Sequence, residues 1–340
     1  SDKIEPEYGE RTVLIYMAAD NNLNKDGETN IKSILKGMEQ TAGRLVIYID
    51  PRYDVPRLLT VKGGKGCRLD TLETYTEENS ASPEVLARVV KEVQKRYPAS
   101  SYGLVLWSHG LGWVPPEYSF PGGYAMRLPD PDMPRTKYYA EDEHPGTTGK
   151  AYMDIREMAA RLPGHFNFIL WDVCFMGGIE VAYELRNKTD YMIASPAEVI
   201  SDGFPYEKIV PLFWGGEEAM KQICREYYNH YNKYPVNSLW RSAVVGLVKT
   251  EELEPLAAKV RTLLAGKTDY ARAWHYPLNQ GGLPMVFFDF GDYIRKMTTE
   301  EEYNSFKKLL DRVVIYKAAT EKLFGEEVPA DKFSGLTSYI

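Results

Sequence analysis

Apolar residues follow two rhythms along this chain. Short, nearly unbroken runs at 12–18, 44–49, 102–107, 166–171, 191–194 and 242–248 have the length of strands and no polar face, which predicts strands buried on both sides of a largely parallel sheet. Between them, apolar positions recur every three or four residues, as with Ile31, Ile34, Leu35 and Met38 within 27–40, which predicts helices buried along one face. The same period predicts helices at 83–97, 154–162, 175–186, 217–231, 253–265, 289–296 and 304–323. Two of these carry start signals: Ser82-Pro83-Glu84 supplies an N-cap, a first-position proline and a first-turn acid, and Asp154 is followed three residues on by Glu157. Leu58, Thr60 and Val61 before Gly63-Gly64 predict a hairpin at the sheet edge within 51–74. The alternation describes a β-α-β chain up to about residue 249, after which helical pattern dominates. Residues 1–10 read as a polar tether, 11–249 as the α/β core and 250–340 as a mostly helical subdomain packed on it.

In open α/β sheets ligands bind beyond the carboxyl ends of the strands, so the residues that follow each run matter most. The run at 102–107 leads into Ser108-His109-Gly110, and the run at 166–171 into Asp172-Val173-Cys174. If the two strands are neighbours, an imidazole and a thiol face each other across a cleft. Singly, such a cysteine is more often a small buried hydrophobe and such a histidine a structural hydrogen-bonder. Their matched positions single them out as base and nucleophile. Cys174 is expected to open the helix at 175–186, where the helix N-terminus and a nearby imidazolium would lower the thiol pKa. The amides of Gly110 and Cys174 are candidates for holding an oxyanion, and Gly110 and Gly112 let the backbone approach a ligand closely. Asp20-Asn21-Asn22 also reaches the carboxyl edge, either shaping the cleft or forming a turn.

Other chemistry is scarce. Forty-eight acids against 41 bases give a net charge of −7, and no Lys/Arg stripe interleaved with aromatics argues for nucleic acid as partner. Cys67, Cys174 and Cys224 form no paired framework and no zinc spacing; no metal site is expected, and Gly63-Gly64-Lys65-Gly66 lacks the Lys-Ser/Thr of a phosphate loop. No EF-hand loop is present, and calcium dependence is not readable from the scattered acids. No apolar run approaches the length of a membrane span. Residues 114–150, with seven prolines and four glycines and no sustained period, form an unusually long loop that carries Arg127, Arg135, Lys137 and Lys150.

RTVLIYMAADNNL (11–23), LVLWSHGLGW (104–113), ILWDVCFMGGIEVAYELRN (169–187) and YMIASPAEVISDGFPY (191–206), with a weaker SGLTSYI (334–340), resemble the clostripain family of cysteine peptidases in order and spacing. The resemblance implies a three-layer α/β/α caspase-like sandwich, cleavage after Arg or Lys, and a His109/Cys174 dyad. It places Asp172 in the pocket for the basic side chain, where the competing reading is a helix cap. Asp202 is a second pocket candidate or an ordinary turn residue, and Ser195 a further lining candidate. It also implies self-cleavage after a basic residue of the long loop, with Lys150 the leading choice and a plain surface excursion the alternative. Export to the periplasm, surface or medium follows from the same likeness, the signal being absent from these residues, and a monomer acting without cofactor is expected. Two rival readings fit the same residues. One is a non-catalytic surface protein binding basic peptides or glycans, the other a thiol hydrolase or transpeptidase acting on non-basic substrates.

Overall fold

The computed structural model describes residues 9–19, 24–51, 54–108, 132–137, 154–268, 272–279 and 287–339. Strands β1 (Gly9–Ala19), β2 (Arg44–Pro51), β3 (Arg57–Lys62), β4 (Asp70–Thr74), β5 (Ala99–Trp107), β6 (Phe166–Asp172), β7 (Thr189–Ala194), β8 (Val244–Lys249) and β10 (Val314–Ala319) form one sheet in the order β10-β8-β7-β6-β5-β1-β2-β3-β4. The central strands β7, β6, β5, β1 and β2 are parallel, and antiparallel strands close both sides. Two short pairs lie outside it: β9 (Phe287–Asp289) with β13 (Thr337–Tyr339), and β11 (Lys322–Leu323) with β12 (Glu326–Glu327).

The unbroken apolar runs explain the layering. Because successive strand side chains point to opposite faces, Val105 and Trp107 of β5 enter one core while Leu104 and Leu106 enter the other. Helices α1 (Asn24–Met38), α5 (Tyr206–Ile209) and α6 (Glu217–Asn232) cover the first core through Ile34, Met38, Ile209, Ile223 and Tyr227. The second is covered by α2 (Pro83–Arg96), α3 (Ile155–Arg161), α4 (Ile179–Glu184), α7 (Leu253–Leu264), α8 (Phe290–Met297) and α9 (Glu300–Val313). This is a three-layer α/β/α sandwich of the caspase-like kind. Full burial of each large apolar side chain contributes about 1.5–3 kcal/mol, so continuous double-sided runs make the central strands the most strongly held part of the chain.

After residue 249 the described chain holds helices α7, α8 and α9, together with short strands that the helical pattern did not announce. The helix expected at 304–323 spans Glu300–Val313, begins at a Thr299/Glu302 capping box, and gives way to β10, which pairs antiparallel with β8. Val313, Val314, Ile315 and Tyr316 are β-branched or aromatic and favour a pleated surface over a continued helix.

Candidate active site

Strand order brings the expected chemistry to one place. β5 lies between β1 and β6, where the connections change direction, and Trp107 pairs in register with Asp172. His109 and Cys174 each follow by two residues. His109, Gly110, Gly112 and Asp20-Asn21-Asn22 lie outside the described residues.

Cys174 sits in a turn rather than at a helix N-terminus. α4 begins only at Ile179, and Phe175 holds the left-handed conformation with φ +59°. Such a conformation costs a non-glycine residue roughly 1–2 kcal/mol. Here it is held by the Phe175 amide on the Ala197 carbonyl (2.9 Å) and by stacking on Phe287 at 4.0 Å between ring centroids. The Gly177-Gly178 pair, a turn signal, accounts for the late helix start. The thiol is fully buried; its Sγ accepts from the Val199 amide (3.2 Å) and donates to the Val199 carbonyl (3.7 Å). Burial, and then the Glu198 carboxylate, push the thiol pKa well up, the reverse of the lowering expected from a helix dipole.

A segment of the long loop occupies the cleft beside it. Thr136 bridges Ile200 in antiparallel fashion, the Lys137 amide donates to the Val199 carbonyl (2.8 Å), and the Ser201 amide donates to the Arg135 carbonyl (2.8 Å). Residues 134–137 thus lie along 199–201 as an added strand, in the manner of a bound peptide. The Lys137 side chain is fully buried, its Nζ 3.5 Å from Asp172 Oδ1 and 3.8 Å from the centroid of the Trp107 ring. Burial pulls the ammonium pKa down, while Asp172 and then Asp26 pull it back up. Desolvation raises the carboxyl pKa values of Asp26 and Asp202, and in each Lys137 is the largest opposing influence. Arg135 is exposed, with its guanidinium 3.6 Å from Asp26.

Asp172 is therefore not a helix cap. Its Oδ2 accepts from the Tyr206 hydroxyl (2.6 Å) and the Phe204 amide (3.3 Å), leaving Oδ1 toward Lys137. Gly203 forms the floor: at φ +72°, a Cβ there would fall 2.5 Å from Asp172 Oδ2 and 3.0 Å from Lys137 Cε. Asp202 stands at the rim of the same pocket, its carbonyl accepting from Asn30 Nδ2 (3.2 Å). Asn30 Oδ1 in turn accepts from Trp107 Nε1 (2.8 Å), so one buried amide ties the ring to the rim. Ser195 is buried, but its hydroxyl donates to the Ala197 carbonyl and accepts from the Ala197 amide in a local turn. Asp26, Trp107, Asn30, Glu198 and Gly203 were missed as pocket residues. Lys137 had been noted only among the loop's basic residues. No periodicity or motif singles it out within the proline-rich loop. Lys150 lies outside the described residues. Among the described residues, no group of three or more His, Cys, Asp or Glu side chains is arranged to hold a metal ion, and no helix is long and apolar enough to cross a membrane.

The profile of the clostripain family matches residues 15–325. Over 228 residues the chain is 26% identical to clostripain of Hathewaya histolytica, an alignment that covers 58% of this chain and 41% of that protein. An inactive zymogen C11 protease from Parabacteroides distasonis superposes with a TM-score of 0.80 at 35% identity, covering 98% of this chain and 93% of the other. A secreted C11 cysteine protease from Bacteroides thetaiotaomicron, solved with an irreversible peptide inhibitor, gives 0.79 at 28% identity over the same shares.

Proposed function

Because this chain belongs to the clostripain family of cysteine peptidases, we propose that it is an endopeptidase that cuts after Lys or Arg and is held, before its first cut, by its own Lys137. Cys174, as thiolate, attacks the carbonyl carbon of the basic residue. His109 takes the thiol proton and gives it to the departing amine. The amides of Gly110 and Cys174 stabilise the tetrahedral oxyanion, and water then hydrolyses the thioester to regenerate the thiol. Applied to the chain itself, the bond broken is Lys137–Tyr138, with Lys137 taking the role first given to Lys150.

The observation that carries this reading is the buried Lys137 side chain between Asp172 and the Trp107 ring, on a backbone paired like a substrate with Val199 to Ser201. A carboxylate in a buried slot rewards a cation and repels an acid. Self-processing is in keeping with the inactive zymogen form of the Parabacteroides relative, and the secreted Bacteroides relative supports export. Since one chain supplies every residue invoked, we read the acting species as a monomer.

Turnover of matched fluorogenic peptides ending in Arg, Lys, Asp or Leu tests the proposal, with wild type and Cys174→Ala compared and the chain's fragments mapped by mass spectrometry. The expected result is Cys174-dependent cleavage confined to Arg and Lys, with a new carboxyl terminus at Lys137. Cleavage after neutral residues, or a chain cut equally in Cys174→Ala, would overturn it.

A further inference from the structure

Asp289 is a buried acid that the proposed chemistry does not use. Its Oδ1 accepts from the Asp292 amide (2.9 Å), which is an ordinary cap at the start of α8. Capping does not account for Oδ2, which accepts from the Tyr276 hydroxyl (2.5 Å), the Ser334 amide (2.8 Å) and the Ser334 hydroxyl (3.0 Å). Burial pushes the carboxyl pKa up to about 6 against the opposing pull of these donors, Tyr276 first. An apolar side chain of similar volume often serves stability as well as a buried charge does, so the acid calls for another reason. What it supplies is one fixed point at which segment 274–276, the start of α8 and Ser334 meet.

That point bears on the nucleophile turn by two routes. Phe287, two residues before Asp289 on β9, stacks on Phe175. Thr337, the register partner of Asp289 on β13, donates its amide to the Gly177 carbonyl (2.8 Å). The left-handed Phe175 persists only where its surroundings over-determine it. β9 and β13 provide two of the contacts that do so, yet a pair of three-residue strands is too short to hold itself. We propose that Asp289 is a positioning residue: by pinning β9 and β13 to Tyr276 and Ser334 it fixes the turn at 175–177, and through it the sulfur and amide of Cys174. The inference rests on the peptidase reading and adds to it a residue that acts through the turn rather than on the substrate. The segment held through Tyr276 also runs on to Asn279, whose Nδ2 donates to the Pro134 carbonyl (2.7 Å) and whose amide donates to Glu198. Glu198 in turn accepts from the Thr136 hydroxyl (3.1 Å). An Asp289 that served only that end would alter how peptides bind, whereas one that fixes the Cys174 turn alters the chemical step.

The test uses the self-processed protein, a fluorogenic Lys peptide and a peptide aldehyde ending in lysine. The aldehyde carbon bonds to the Cys174 sulfur and its oxygen takes up the thiol proton, so its Ki reports on the oxyanion position. Rates are taken per Cys174 titrated with a lysyl chloromethyl ketone, which removes any unfolded fraction from the comparison. Asp289→Asn, the isosteric change, is expected to lower kcat about ten- to a hundredfold with KM within about twofold of wild type. The aldehyde Ki should weaken by a similar factor, while Lys is still preferred to Leu. Tyr276→Phe, which removes one donor and keeps the ring, should show the same pattern at about threefold, and it carries the test if Asp289→Asn does not fold. A side chain needed only for stability would lower the melting temperature and leave the per-site kcat and the aldehyde Ki unmoved. That result, or a loss confined to KM, would overturn the inference and leave the peptidase reading standing. Absence of Lys-peptide cleavage by wild type sinks the peptidase reading and this inference with it.

Discussion

The two walls of the cleft grip residues 134–137 by different means. On the sheet side, Trp107 and Asp172 sit at the ends of adjacent parallel strands, and their spacing is set by a register of buried residues on both faces. On the loop side, residues 195–203 and Asn279 have no such ladder. They are held by single hydrogen bonds from distant places: Gly177 to the Ser195 carbonyl, Asn30 to the Asp202 carbonyl and Tyr231 to the Gly203 carbonyl. The sheet wall meets one side chain and its charge. The loop wall meets the main chain and the neighbouring hydroxyl. A charge requires a fixed counter-charge in a dry place, which strand ends provide, whereas a run of sequence is better met by a surface that can be redrawn without disturbing the core.

Substitutions on the two walls should separate these roles. The largest effect is expected from Asp172→Asn, which still accepts from Tyr206 and Phe204 but turns an amide toward the ammonium. Loss of one partner of a buried charge pair should lower kcat/KM on Lys peptides about a thousandfold, and should also lower the thermal stability of the uncut chain, whose buried Lys137 loses its counter-charge. Next is Gly203→Ala, where the new methyl falls against Asp172 and strains the backbone. A loss of at least about a hundredfold on Lys peptides is expected, with a drop of roughly 1–2 kcal/mol in stability by denaturant titration. Trp107→Leu keeps the apolar wall but removes the π face, for a loss of about tenfold or more on Lys peptides. The smallest effect concerns the loop wall from within: Thr136→Val should slow self-cleavage only about threefold, because the tether keeps the segment near saturation at the cleft. Fragment appearance over time measures it, and a loss rivalling that of Asp172→Asn would erase the distinction between the walls.

The same division governs what could be read from the chain. β1, β2, β5 and β6 announce themselves as unbroken apolar runs, and the residues that end them, among them Trp107 and Asp172, fall where such runs stop. The role of Asp172 was open between pocket and cap until Tyr206 and Phe204, over thirty positions away, were seen to hold it. Nothing periodic marks Glu198 or Asn279; their meaning arises from pairing with residues 62 and 145 positions distant in sequence. Asp26 falls just ahead of the helix expected at 27–40, and only the observed start of α1 at Asn24, after β1, puts it in a first helical turn near Lys137. The nucleophile turn was misread because the apolar period of Ile179, Ala182 and Leu185 was extended back through Gly177-Gly178 to Phe175, whose left-handed conformation no local rule anticipates.

The turn at Cys174 has its last supports far downstream. Phe287 stacks on Phe175, the Thr337 amide donates to the Gly177 carbonyl at 2.8 Å, and Ser338 Oγ donates to Glu180 at 2.8 Å. During synthesis the nucleophile leaves the ribosome long before these residues do. A nascent chain with its histidine, cysteine and acidic pocket already translated still lacks the brace that fixes the sulfur's turn. Under the proposed function, proteolytic competence is therefore scheduled by translation as well as by Lys137, and a half-made molecule is no hazard to the ribosome that makes it.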